Sequence, residues 1–491
     1  MAFCLLFCLT FLPAGSALSE ALFRAKTTHT QDSTNFLKQG IWLLQKKRFA
    51  EAREEFLRAV QADQSSAEGF FYLGVAELDL GHRSAAENDL RRSLKLNPRS
   101  QSTLYNLGVL LLENRKPVEA VGLLEKAEKI GPDSPELAAN LVRAYLEAGR
   151  EDQALSFAEA SARKFGNLPA FDLAVGKLFL AQNLLKPAHD LLGKAQQLLP
   201  SEPEILFPLA EVCLRQKDAT CVHETLSRIT GNAQNTGAYH YLLARERLLS
   251  GEDSAALQEI QRAVQLEPQN TAYLLLLGRL YQKFSRQQDA LEVLEKAKRL
   301  APDSPDILYS MAITYFIESD FQTASSYAQR ALQMKPEDDK ALFLLGLCYF
   351  AVGKFREAQK LLSAAVQREP GNKFYQTFYG MLLLSENELL QARPHLEKAV
   401  ALDSSYALPH YQLGRLWVRM SKYRKASEEL QKAVASEPDL TGAYYLLARA
   451  YEHLGEKEKA QQALADFKKY HAAEYSERKE LLKQMQNTME P

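Results

Sequence analysis

Thirteen consecutive blocks of 34 residues fill residues 33–474 of this 491-residue chain without an insertion or a deletion. The blocks start at 33, 67, 101, 135, 169, 203, 237, 271, 305, 339, 373, 407 and 441. Their twentieth position is Ala in twelve cases, from Ala52 to Ala460, with Val222 the exception. Their eighth is Gly in eight: Gly40, Gly74, Gly108, Gly176, Gly278, Gly346, Gly380 and Gly414. So strict a period implies a stack of like units, each covering its neighbour's apolar face, rather than a set of independent globular domains. One continuous, elongated domain is expected, although length alone would suggest about three.

Each block reads as two helices of about a dozen residues joined by a tight turn. Positions 8 and 20 fall on the two helices, where a missing side chain lets the backbones approach. Gly in a helix interior costs about 1 kcal/mol against Ala, so eight of them at one position imply a packing gain that outweighs the cost. Position 32 is Pro in eight blocks, among them Pro98, Pro200 and Pro438. A proline there stops the second helix, since it donates no amide and clashes with the preceding turn. Ser134-Pro135-Glu136 and Ser304-Pro305-Asp306 then restart the chain as an N-cap, a proline at the first helical position and an acid near the positive helix end.

The block that starts at Asp339 carries Leu342, Leu345-Gly346, Tyr349, Ala358, Leu362, Ala365 and Pro370 at positions 4, 7–8, 11, 20, 24, 27 and 32. This pattern resembles the tetratricopeptide repeat, and the resemblance covers about nine-tenths of the chain. It implies an all-α fold, a right-handed superhelical α-solenoid of antiparallel helix pairs. It is nearly silent on the ligand, which the packing positions do not encode.

A formal charge of −1 argues against nucleic-acid or membrane-surface binding, both of which leave a basic excess. Residues 1–17 have the layout of a secretory signal: an apolar run from Ala2 to Leu12, then small residues to a cleavage point after Ala17, although no Lys or Arg precedes the run. Export, to a bacterial periplasm or beyond it, is the expectation; a cytoplasmic location follows if the signal is spurious. The run is too short to span a bilayer, so no integral membrane span is expected. Residues 18–32 read as a flexible lead-in and 475–491 as a capping helix that continues the last block, whose position 32 is Ala472 rather than Pro. In the sixth block, Cys213 and Cys221 sit near the turn on facing helices. They read either as a local disulfide of an oxidising compartment or as two buried thiols, and Cys348 reads as core.

No Gly-rich phosphate loop, His-Glu-x-x-His, Cys-x-x-Cys or Gly-x-Ser-x-Gly occurs. Ser161-Ala162-Arg163-Lys164 spells Ser-x-x-Lys, but Ser161 holds packing position 27, Ala127 and Ala195 in the neighbouring blocks. The nine histidines are scattered, with no pair at metal-ligand spacing. No catalytic residue, cofactor or metal is expected.

The family's geometry implies that positions 2, 5, 9, 12 and 13 of each first helix line a concave groove. Position 5 is aromatic in eight blocks: Phe71, Tyr105, Phe207, Tyr241, Tyr309, Phe343, Tyr411 and Tyr445. Position 9 is basic in six: Arg143, Lys177, Arg245, Arg279, Arg415 and Arg449. One helical turn separates the two positions, so Tyr241/Arg245, Tyr411/Arg415 and Tyr445/Arg449 offer aromatic and guanidinium anchors on one face. The competing reading packs the rings between adjacent first helices and pairs each Arg with a nearby acid. Position 13 runs from Asp79, Glu113 and Glu147 to Arg215, Lys283 and Arg419, a polarity suited to orienting a peptide.

Two better-defined sites of the family do not fit. A clamp for chaperone carboxy-termini implies Lys at position 5, which never occurs. An Asn ladder implies Asn at position 6 throughout, and only Asn106 and Asn140 comply. The expected function is a non-catalytic scaffold binding an extended peptide or helix of a protein partner. The alternatives are an accessory subunit that presents substrate to a glycosyl- or envelope-modifying enzyme, and a structural spacer in a secretion or outer-membrane assembly.

Overall fold

The computed structural model describes residues 32–131, 133–166 and 168–471. The expected signal at 1–17 and the cap at 475–491 lie outside the described residues. Those described form helices without a strand, two to a block. The helices are numbered in chain order: α1 spans 32–45, α2 Phe49–Ala62, α3 Ala67–Asp79, and so on to α26, Lys457–His471. Odd numbers are thus the first helices of blocks and even numbers the second. From α3 to α25 (Thr441–Leu454) every first helix starts on the first residue of its block.

The small residues do what their spacing predicts. The position-20 alanines are fully buried, Ala52 and Ala426 among them. A Cβ added to Gly414 would lie 2.5 Å from the Leu430 Cγ on the paired helix, so glycine there permits a close approach of two backbones. The two helices join through one recurring turn. Position 15 has a positive φ throughout, in glycines such as Gly81 and Gly353 and in residues such as Lys47, Arg115, Asn183 and Ser421. The position-16 amide donates to the position-11 carbonyl, as Lys116 does to Leu111 at 2.8 Å and Lys422 to Trp417 at 2.8 Å. This left-handed exit satisfies carbonyls that a helix end would otherwise leave open.

First helices begin on side-chain caps: the Ser66 hydroxyl accepts from the Gly69 amide at 3.0 Å and Ser134 from Leu137 at 3.2 Å. Ser304, expected to cap in the same way, has the extended backbone of a cap but accepts no such bond.

The chain divides into two compact units, one ending at Ala233 and one beginning at Gln234. The division falls at the least typical block. Its second helix, α12 (Ala219–Ser227), has 9 residues where most second helices have 14, and a 3-10 turn, Gly231–Asn235, follows. Pro208 sits inside α11 (Pro203–Arg215). In the second unit an apolar core runs continuously from Ala312 to Ala463.

Candidate functional site

In the first unit, the ring of Phe71 lies edge-on to Tyr72, centroids 5.1 Å apart. Tyr105 is half-buried, and its hydroxyl accepts from Asn140 Nδ2 at 3.0 Å. Burial raises the hydroxyl's pKa and this bond partly offsets the rise. Asn140 also donates to the Glu136 carbonyl and Asn106 to the Ser102 carbonyl, so both asparagines are tied to their own helices. Arg143 pairs with Glu147 at 2.7 Å. Lys177 is exposed.

In the second unit, Arg245 lies over the Tyr241 ring at 5.4 Å and Arg415 over Tyr411 at 5.7 Å, which brings two of the three Tyr/Arg pairs into cation–π contact. At the third, Arg449 is exposed and Tyr445, 52% exposed, leans against Phe467 at 5.9 Å. Arg279 reaches the Ser310 hydroxyl at 3.3 Å and Asp306 at 3.8 Å. Four first helices therefore carry an arginine at the same register, in two adjacent doublets.

The position-5 rings are also packing elements. Tyr241 stacks on Tyr273 at 4.9 Å and Phe343 tilts against Tyr375 at 4.4 Å. Phe343 and Tyr411 are buried, and Tyr309 is half-buried, its hydroxyl pKa raised by burial and by Asp338. Tyr273 and Tyr375 hold position 3 of the next block, so an aromatic 32 residues after a position-5 ring was the signal for this stacking.

The basic position-13 residues are engaged between neighbours. Arg215 donates to the Leu180 carbonyl at 3.2 Å, Arg419 to the Leu384 carbonyl, and Lys283 pairs with Asp253 at 2.9 Å. Each arginine adds a second donor to a carbonyl at the end of the preceding first helix, which already accepts a turn amide from Asn183 or Asn387.

Cys213 and Cys221 are joined, with Sγ atoms 1.96 Å apart and Cα atoms 5.7 Å apart. Cys348 is a buried free thiol, its pKa pushed up to about 12 by burial. The structure adds a neighbour that the scattered histidines did not suggest: His189 Nε2 lies 3.7 Å from Cys221 Sγ. The two residues are 32 apart and in different blocks, so no local spacing could have announced them.

Two family profiles, both described as tetratricopeptide repeat, match the chain. One matches residues 111–178, 315–382 and 418–485, the other 71–135 and 241–305. No curated protein matches the chain in sequence. Among solved structures, the APC/C hetero-tetramer Cut9–Hcn1 is similar at a TM-score of 0.55 and 16% identity, over 91% of this chain and 89% of that one. Two structures of monomeric IFIT1 mutants, one with m7Gppp-AAAA and one with Gppp-AAAA, score 0.47 and 0.46 at 16% and 17% identity. Each covers 75% of this chain and 90% of the other. The likeness to Cut9–Hcn1 bears on the fold alone. No helix among the described residues is long and apolar enough to cross a membrane.

Proposed function

Because the chain belongs to the tetratricopeptide repeat family, we propose that it is a non-catalytic interaction scaffold whose second unit holds an extended segment of a protein partner along positions 5 and 9 of its first helices. One observation carries this reading: Arg245, Arg279, Arg415 and Arg449 recur at one register, three of them one turn from a tyrosine at position 5. A partner complementary to that row has acidic groups toward its two ends. Planar guanidinium forks bind carboxylates in two-point fashion, and arginine and tyrosine dominate the strongest contacts of known interfaces. Export, read from residues 1–17, belongs to the same proposal; sequencing the amino terminus of the mature protein from its native cell tests it.

The groove is tested by affinity capture from the native compartment with the parent chain and with a variant in which the four arginines are changed to Ala. Arg279 and Arg415 also hold side chains of this chain, so far-UV circular dichroism must first show the variant folded. A partner held by the parent and lost by the folded variant supports the row as the site. Equal capture by both removes it.

A further inference from the structure

We propose that His189, Cys213 and Cys221 form, when the two cysteines are reduced, a binding site for one zinc ion in the first unit. The three side chains come from three helices: His189 from α10 (Leu185–Leu198) and the cysteines from α11 and α12. Their ligand atoms all lie within 4.8 Å of one another. Around a tetrahedral zinc with sulfur at about 2.3 Å and nitrogen at about 2.0 Å, neighbouring S and N ligands stand about 3.5 Å apart. Cys221 Sγ and His189 Nε2 stand 3.7 Å apart. The Cα separation of the cysteines, 5.7 Å, permits a disulfide, and rotation about the Cα–Cβ bonds parts the sulfurs to the roughly 3.8 Å of a shared ion.

The surroundings suit an ion held by these groups. Nε2 faces the sulfur while the other ring nitrogen, Nδ1, lies 4.0 Å from an Asp190 carboxylate oxygen. A turn of the half-exposed ring would bring that carboxylate into the hydrogen bond that orients a ligating imidazole. Cys213 is fully buried and His189 half-exposed, so the fourth position opens toward solvent and takes water. Two thiolates and an imidazole select a borderline-soft cation over magnesium or calcium.

The site exists in one redox state only. A dithiol reductant gives two electrons to the Cys213–Cys221 bond and leaves as its cyclic disulfide. Its two protons pass to the cysteine sulfurs and are released to water as zinc binds the thiolates. Oxidised, the pair ties α11 to α12 within one block. Reduced and loaded, the ion ties both to α10 of the block before. The compartment's redox poise thereby chooses which helices are clamped.

Zinc binding to the full chain, followed by competition with a chromophoric chelator, tests this in the oxidised form and after reduction with a phosphine that is then removed. The reduced chain takes up one zinc and the oxidised chain none; Cys221→Ser abolishes uptake and His189→Ala weakens it at least tenfold. Cobalt in place of zinc gives a near-ultraviolet thiolate-to-metal band in the reduced parent that Cys221→Ser lacks. His189 is half-exposed, so His189→Ala keeps the fold, and Cys348→Ser controls for the remaining thiol. Equal uptake by both redox forms, or uptake that survives Cys221→Ser, overturns the site. Unchanged affinity in His189→Ala overturns the part given to the imidazole.

Discussion

Position 8 of each first helix faces position 24 of its partner. Where position 8 is Gly, position 24 is Leu or Phe, as in Gly414/Leu430 and Gly40/Phe56; Val142 and Ala312 face the small Ala158 and Ala328, while Ala210, Ala244 and Ala448 still face Leu226, Ile260 and Leu464. The same substitution should therefore have opposite signs at two helical glycines. Gly414→Ala drives a Cβ to 2.5 Å from Leu430, and overpacking of about 1–3 kcal/mol exceeds the helix-propensity gain, for a net loss of about 1 kcal/mol. At Gly122 an added Cβ meets nothing within 4 Å, so Gly122→Ala gains about 1 kcal/mol. Urea denaturation of both variants decides; losses in both would mean that the glycines serve the backbone and not the packing. This pairing was readable in the sequence because both partners lie in one block, 16 residues apart. The fate of the position-5 rings was carried by a longer spacing, since Tyr273 and Tyr375 come from the next block, 32 residues on. Asp89 adds a pH-dependent case. Burial, then repulsion from Glu77, raises its carboxyl from 3.8 to about 6, with Arg53 opposing. The folded state thus holds the proton more tightly, and stability present below pH 4 is lost as pH rises to about 6. Asp89→Asn should exceed the parent by about 1 kcal/mol at pH 7, after allowance for partial solvation, and match its pH trend no longer. Parallel stability curves from pH 4 to 7 would sink this account.

At the scale of helices, the stops show two chemistries where the sequence displayed one. Proline at position 32 ends eight second helices, yet α2 and α22 (Leu389–Leu402) end at the same register without it. In both, an aspartate replaces the proline's effect: Asp63 Oδ1 accepts from the Ser65 amide at 2.9 Å and Asp403 Oδ1 from the Ser405 amide at 2.9 Å. Such a side chain offers the backbone a turn in place of another helical bond. Asp403 is held at about 2, first by Lys373 and then by Ser405. Inside α22 the sequence places a proline against the helix. Pro394 is exposed in mid-helix, where it removes the bond to the carbonyl four residues before it and crowds that turn. Pro394→Ala restores the donor without touching the core and should stabilise the chain by about 1–3 kcal/mol. Amide exchange measured across 389–402 should slow in the variant; unchanged exchange would mean that the helix has already relaxed around the ring.

For the whole molecule, register and cooperativity are different properties. The 34-residue period crosses Ala233 intact, and for that reason the sequence read as one domain. Contact between successive blocks depends instead on full-length helices, and α12 stops after 9 residues in the block that also carries Pro208. A repeat array behaves as a row of units coupled to their neighbours, so a weak block lets the row break into parts that unfold separately. The two tryptophans make this measurable. Trp42 is 51% exposed in α1, whereas Trp417 is 5% exposed in α23 (Ala407–Arg419), with Lys425 5.0 Å above its ring. In a Trp42→Phe variant, fluorescence reports on the second unit through Trp417 alone, while far-UV circular dichroism reports on all helices. The first unit contains the weak block and the second a continuous core, so helicity should begin to fall at lower urea than Trp417 fluorescence changes. Reduction of Cys213–Cys221 should widen the gap, because it removes a cross-link from the unit expected to open first. Coincident transitions, oxidised and reduced, would instead mean that coupling through the sixth block is as strong as elsewhere. The short helix would then be a local variation without thermodynamic consequence.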